Sequence, residues 1–423
     1  MQVKNKKDIS TNDKRIFFIN AIEKVFNELS PEKIIGKKFD LDLTEYNNVY
    51  VIGFGKASFK MYSGIRDRII NKIKYAGIIV PEDENDNNIY NELNILRGTH
   101  PYVSELSVKS SEKLLSNLRD LSENDLVIVL ISGGGSSLFE IPVDNIGVND
   151  IMNVSREVMK NGGDIYSLNY IRSVLSNVKN GKLSKYLYPA NVVSYIISDV
   201  IHDDVSIIAS GPLKKTDTNL NIDELLEKYV KDDKLKNLVI NNYKPYKIVN
   251  KYFKKIRNNI ILKNNDFVDK FYGYMNTDSI NLGSNINGDV SDISDELVKI
   301  LRSVYYIKGS GFYFVGGGET TVNVRGNGKG GRNQELVLRL FQKMKNNEHF
   351  VFVSIGTDGI DGMSPAAGGI VDNTTKVSGI EYYLDNNDSY NALLNNHGVI
   401  LTGRTGNNVS DIIMGFYSAE NNP

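Results

Sequence analysis

"LISGGGSSLF", residues 130–139, joins the end of an apolar run to three glycines and two serines. The run begins at Leu126 ("DLVIVLIS", 125–132) and carries no polar alternation. A strand apolar at every position is buried on both faces, as in parallel sheets covered by helices. Gly133, Gly134 and Gly135 let the backbone approach a ligand closely. The amides of Ser136 and Ser137 then fall at the start of a helix, where unpaired N–H groups favour negative charge. One glycine would read as a plain turn. Three, followed by two serines at a strand-to-helix junction, point to a phosphate or carboxylate.

Outward from this stretch the same grammar recurs. Residues 48–86, "NVYVIGFGKASFKMYSGIRDRIINKIKYAGIIVPEDEND", read as strand, glycine turn, helix, strand and acidic loop, a βαβ unit. "SVKSSEKLLSNLRDL" (107–121) is an amphipathic helix, and "VVSYIISDV" (192–200) is a third buried strand, running into Asp199. Phe18, Ile22, Val25 and Leu29 stand at helical spacing near the start. Residues from about 214 to 288 are rich in Asn, Lys and Asp and read as a connecting region with helices. A second glycine-punctuated block follows in 313–341, 349–362 and 398–411.

Composition narrows the classes. Of 423 residues, 41% are apolar and 24% charged, and the formal net charge is −1, so no global field draws the chain to nucleic acid or membrane. There is no cysteine, which excludes disulfides and thiolate chemistry and suits a reducing interior. The polar start and the lack of any long apolar run predict a cytoplasmic protein.

Several residues at strand ends can carry chemistry. "GFGKAS" (53–58) is not a P-loop, because Tyr50 stands where glycine is required and Ala57 follows the lysine. It has the look of a dinucleotide turn, with Ser58 in place of a third glycine. Lys56 is placed to reach a phosphoryl oxygen, a solvated lysine being the other reading. In "GGGETTVNVRGNGKGGRNQE" (316–335), dense glycines surround Arg325, Lys329 and Arg332. A guanidinium at Arg332 can grip a carboxylate or phosphate through two parallel hydrogen bonds. Asp199, Asp203, Asp204, Asp358 and Asp361 are candidates to bind Mg2+ or orient a hydroxyl, with turn and cap roles as the alternative. His100 either lines a site or turns the chain before Pro101.

Together these motifs resemble the glycerate 2-kinase family, whose C-terminal half is the MOFRL domain. The resemblance runs from "VIGFGKAS" through "GTHPYVSE" (98–105), "LISGGGSSLFEIP", "GGDIYSLNYIRSVLSNVKNGKL" (162–183), "SDVIHDDVSIIASGP" (198–212) and "GTDGIDGMSPAAGGIVD" (356–372) to "TGRTGNNVSD". It implies an α/β protein of two domains, a Rossmann-like three-layer parallel sheet over 1–235 and a smaller α/β MOFRL domain over 236–423, with the active site in the cleft between them. It implies transfer of the γ-phosphoryl group of ATP to the 2-hydroxyl of D-glycerate, with Mg2+. Carried over by position, Lys56, Asp199 and Arg332 are catalytic. Gly133, Gly134, Gly135, Ser136, Ser137, Asn264, Gly317, Glu319, Thr320, Asn333 and Glu335 hold cofactor, and Asp199 and Asp358 hold metal. Ile201 and His202 stand where the family usually has proline and glycine, and Arg404 where proline is common. The small-molecule substrate needs neither nucleic acid nor membrane, and a homodimer stays open. Two other classes stand beside this one, a nicotinamide-dependent hydroxypyruvate reductase and a sensor of a phosphorylated metabolite.

Overall fold

The computed structural model describes residues 1–83, 90–215, 220–243, 249–275 and 278–420. The end of the acidic stretch that follows the βαβ unit, residues 84–89, lies outside them. The chain divides into two compact units, residues 31–261 and residues 1–30 together with 262–423.

The unit of residues 31–261 is built on a six-stranded sheet: β1 (Val49–Phe54), β2 (Ile73–Pro81), β3 (Leu93–Gly98), β4 (Leu126–Ile131), β5 (Asn191–Ile197) and β6 (Ile256–Leu262). The spatial order is 3-2-1-4-5-6, and each pairing from β3 to β5 is parallel. β1 and β4 are buried at every position, which is why their sequences never alternate. Helices Ser58–Ile69 and Glu105–Ser116 pack on the sheet, and Ile52, Phe54, Val129 and Leu138 lie in the core. A helical lobe with its own core is formed by helices Val148–Lys160, Ile165–Val174, Ile222–Tyr229 and Asp233–Asn242, around Val154, Val158, Ile171 and Leu226. The Asn-rich region thus contributes helices, as its pattern indicates, and also the strand β6. That strand is half-exposed over most of its length, so "IRNNIIL" lacks the apolar run of a central strand.

The other unit carries a mixed sheet. Its strands are β7 (Ser279–Asn281), β8 (Ile286–Asp289), β9 (Phe312–Thr321), β10 (Glu348–Gly356), β11 (Gly368–Asp372), β12 (Val399–Ile400) and β13 (Asp411–Ala419). The order is 12-11-10-13-9-7, with β8 beside β9. β9, β13, β10, β11 and β12 pair antiparallel in turn, and β7 and β8 run parallel to β9. Phe312 and Phe314 face the core shared with helices Val290–Lys308 and Arg332–Gln342. Tyr313, pointing the other way, meets Phe17 and Phe18 of helix Asp13–Glu28.

The division departs from the expected boundary at 235/236 at both ends of the chain. The first thirty residues belong with 262–423 because Arg15, 1% exposed, reaches across 357 positions of sequence to Asp372. Its Nε donates to Asp372 Oδ2 at 2.7 Å and one terminal nitrogen donates to Thr375 Oγ1 at 3.1 Å, while Asn12 Nδ2 also donates to Asp372 Oδ2, at 2.6 Å. Lys4 N donates to Leu401 O at 2.7 Å, and Asn5 Nδ2 to Val399 O at 2.7 Å. No helix among the described residues is long and apolar enough to cross a membrane.

Burial pushes the Asp372 carboxyl up, but bonds from Arg15 and Thr374 outweigh it and hold it below the ordinary value. Its contribution to stability is therefore present above the ordinary carboxylate range and is lost as pH falls through the lowered folded value. Arg15→Met leaves this buried carboxylate without its ionic partner and is expected to cost about 3 kcal/mol at pH 7. The gap between the variant and the parent should narrow in acid as Asp372 protonates. Urea unfolding at pH 7 and pH 3 checks both statements, and equal midpoints at pH 7 would refute the role given to Arg15.

Candidate active site

β1 and β4 are neighbours at the point where the strand order of the sheet reverses, the place where such sheets open a crevice for ligands. The two glycine turns leave the sheet side by side there and lock together. Ala57 N donates to Ser132 Oγ at 2.9 Å and Lys56 N to Gly133 O at 3.0 Å. Gly55 has φ +122°, and a Cβ there would stand 2.3 Å from Ser132 Oγ, so only glycine lets the first turn pass the second. Lys56 is thereby anchored through its backbone at the edge of the crevice, half-buried.

After the second turn the expected helix is a single turn, Gly135–Leu138. The amides of Gly135 and Ser137 donate within the turn, to Ser132 O and Gly134 O, each at 3.2 Å. What the loop offers a ligand is therefore mainly hydroxyl. Ser137 Oγ is 3.0 Å from His100 Nδ1, and Ser136 Oγ is 2.9 Å from Ser210 Oγ. Gly134, Ser136, Ser137, His100 and Asp199 line one cavity of about 260 Å³. The structure thus brings together the loop 133–137, the histidine and the aspartate that the sequence singled out. It adds three cations to their wall, Arg156, Arg172 and Lys179, which the sequence reading passed over. Lys179 is fully buried and bonds to Glu140, itself wholly buried. In the sequence Arg156 and Arg172 are single cations within helices, and Lys179 stands in the turns that follow the second of them.

Of the other acids, Asp204 accepts from Ser206 N at 2.8 Å in a local turn. His202 takes φ +68°, the left-handed conformation glycine holds most easily, at the position where the resembled family has glycine.

The second group of candidates lies in the unit of 1–30 and 262–423. The pairing of Asp411 with Gly356 and with Gly318 sets it at the end of β10 and beside the later part of β9. Arg332, first residue of its helix, donates to it twice, Nε to Oδ2 at 2.6 Å and Nη2 to Oδ1 at 3.0 Å, and its Nη1 meets Glu319 Oε1 at 3.0 Å. The fork expected to grip a ligand grips Asp411, which the sequence reading did not single out. Burial raises the Asp411 carboxyl, with Arg332 opposing it.

Asp361 caps the same helix, accepting from Asn333 N at 3.0 Å and Gln334 N at 2.8 Å. Burial pushes its carboxyl up to about 6 against those bonds. Asn264 Nδ2 donates to Val409 O at 2.6 Å and Asp411 O at 2.9 Å, and its Oδ1 lies buried against Gly317 without a hydrogen bond. Thr320 is buried in β9. Glu335 is turned to Arg339 at 2.8 Å and to Asn387 at 3.2 Å.

The glycines of 326–331 find a use in the fold. They let this irregular segment lie on residues 386–389, where Gly328 N donates to Asn386 O at 2.8 Å and Lys329 N to Asp388 Oδ1 at 2.9 Å. Asp358 Oδ1 accepts from Ile360 N at 3.1 Å. Among the described residues no group of three or more acids and histidines converges as a metal cage. A Mg2+ ion bound with substrate phosphates needs only one or two carboxylates, and Asp199 on the cavity wall meets that requirement.

Comparison with known proteins agrees with this architecture. Residues 17–244 match a family described as a domain of unknown function, DUF4147, and residues 312–411 match the MOFRL family. The glycerate 2-kinase of Picrophilus torridus is 52% identical over 98% of this chain and 99% of its own. The D-glycerate 2-kinase of Thermotoga maritima is 31% identical over 94% of this chain and 97% of its own. A crystal structure of glycerate kinase from Thermotoga maritima superposes with a TM-score of 0.82 at 29% identity, covering 95% of this chain and 99% of that one. Full-length similarity of this order, over both matched domains, leaves one assignment: the chain belongs to the glycerate 2-kinase family.

Proposed function

We propose that this kinase transfers the γ-phosphoryl group of ATP to the 2-hydroxyl of D-glycerate. The observation that carries the reading is the cavity beside the β1–β4 crevice, where cations, hydroxyls and one carboxylate share a space sized for a small acid. Phosphoryl transfer asks chiefly for positioning and charge neutralisation. Lys56 at the end of β1 would neutralise the transferring group. Asp199 would orient the attacking hydroxyl and accept its proton, or hold Mg2+, and Asp358 is the second candidate metal ligand. When bound, Mg2+ would supply charge neutralisation on the phosphate oxygens.

Nucleotide contacts fall in this reading to Gly317, Glu319 and Thr320 of β9 and to Asn264 and Asn333, and the loop 133–137 would hold an anion, either a phosphate of ATP or the glycerate carboxylate. The bonds of Glu335 to Arg339 and Asn387 give it a part in holding the helix. Arg332 would act as a fixed cation held by Asp411 and Glu319.

The arrangement 3-2-1-4-5-6 with Gly53-x-Gly55 also favours a dinucleotide, and so a hydroxypyruvate reductase. Against it, the first turn is spent on the second. Gly55 packs on Ser132, and the Lys56 amide donates to Gly133 O, where a pyrophosphate would need that amide.

A 31P NMR time course with MgATP and D-glycerate should show 2-phosphoglycerate and ADP rising together. Intact ATP, with NADH consumed on hydroxypyruvate, would establish the reductase instead. Lys56→Ala is expected to lower kcat/KM by about 100-fold with unchanged thermal unfolding. Arg332→Ala should lower activity similarly and also cost about 3 kcal/mol, because it strands the buried Asp411. The double variant Arg332→Ala with Asp411→Asn should recover stability but not activity. Full activity in that double variant would remove Arg332 from the site.

A further inference from the structure

The helical lobe contributes two guanidinium groups to the cavity. Arg156 comes from helix Val148–Lys160 and Arg172 from helix Ile165–Val174. Arg172 Nε donates to Ser155 Oγ at 3.0 Å, and no acceptor among the described residues is recorded for its two terminal nitrogens. Arg156 makes no hydrogen bond or ion pair with any described residue, and its side chain is exposed at the rim. The third cation, Lys179, is already matched by Glu140. The cavity therefore holds two guanidinium groups whose charge no acid among the described residues pairs directly. Partly buried N–H groups that lack acceptors cost free energy until a ligand supplies them.

The rest of the wall says which anion. Asp199 lines the same space, and its charge would repel a chain of phosphates at close range. A hydroxyl, by contrast, can donate to it. Ile151, Met152 and Met159 add apolar surface to its wall. At about 260 Å³ the space lies below the usual range for larger ligands, roughly 300–1,000 Å³, and suits a molecule of a few carbons. A guanidinium fork matches a carboxylate through two parallel hydrogen bonds. Cation and acid in the wall of one small cavity are complementary to a ligand that carries a carboxylate and a hydroxyl.

We propose that this cavity is the acceptor-substrate site, in which Arg172 and Arg156 take the carboxylate of a short 2-hydroxy acid and Asp199 takes its 2-hydroxyl. The assignment rests on the phosphotransferase reading above and divides the labour left open there. The acid substrate goes to the helical lobe and the loop 133–137, and the nucleotide goes elsewhere. It also makes Arg172 the residue that separates hydroxy acids from plain polyols.

The test is steady-state kinetics on the full chain, joined to calorimetric titration with D-glycerate in the absence of nucleotide. Arg172→Ala is expected to raise KM for D-glycerate by about 10- to 100-fold, with KM for ATP changed less than about twofold. Its preference for D-glycerate over glycerol should collapse. Arg172→Lys, which keeps the charge and loses the fork, should fall between Arg172→Ala and the parent. Arg156→Ala removes an exposed, unpaired side chain and so tests the site without a folding risk; about a tenfold rise in the same KM is expected.

A raised KM for ATP with an unchanged KM for D-glycerate would overturn the proposal and give the cavity to the nucleotide. Unchanged constants for both substrates in both variants would overturn it as well. Should the parent phosphorylate no hydroxy acid, the kinase reading fails, and the titration still judges the site. D-glycerate binding that is lost in Arg172→Ala would uphold it, and no binding by the parent would refute it.

Discussion

One close approach governs the unit of residues 31–261: the passage of the β1 turn beneath the β4 turn, with Gly55 against Ser132. A side chain at 55 would collide with both the hydroxyl and the backbone of Ser132. With none there, two loops that each begin at the end of a buried parallel strand share hydrogen bonds and become one surface. Lys56, the loop 133–137 and, through Ser137, His100 all take their places from that contact. Rigid strands that end side by side convert local sequence into a fixed constellation, as expected where the order of a parallel sheet reverses.

The other unit settles its charges differently. Arg332, Asp411 and Glu319 satisfy one another, and Asp361 is consumed in capping the helix that Arg332 begins. These groups are fixed before any ligand arrives, which suits electrostatic preorganisation. The lobe cations Arg156 and Arg172 are the reverse case. No acid among the described residues pairs with either guanidinium, so the geometry there waits on a small molecule. A site of this kind reads its ligand by completing bonds that the fold leaves open.

The sequence displays the first of these arrangements more clearly than the second. β1, β4 and β5 are apolar without alternation, and each runs into glycine, serine or aspartate, so both the sheet and the ends that matter are visible in one dimension. Arg156, Arg172 and Lys179 are not, because a cation on a helix or in a turn looks the same whether it meets water or a cavity. Asp411 escapes for another reason: only the register of β13 against β9 and β10 brings it to Arg332, 79 positions earlier. The dense glycines of 326–331 suggest a ligand loop and prove to let one segment lie on another, since sequence cannot tell which neighbour comes close. The N-terminal helix is legible from Phe18, Ile22 and Val25, whereas its partner at Asp372 is not.

That last pairing has a consequence for how the chain is made. Helix Asp13–Glu28, carrying Arg15, Phe17 and Phe18, leaves the ribosome long before its partners, since Asp372 and Tyr313 come hundreds of residues later. At about 5–20 residues per second, the 357 positions between Arg15 and Asp372 take roughly twenty to seventy seconds to synthesise. Throughout that interval the unit of 31–261 can complete its own sheet, while the opening helix has no place to bury its aromatic face. The first thirty residues therefore spend that interval without the surface they pack on, and a fragment that begins at 31 would leave the C-terminal sheet uncovered where that helix should lie.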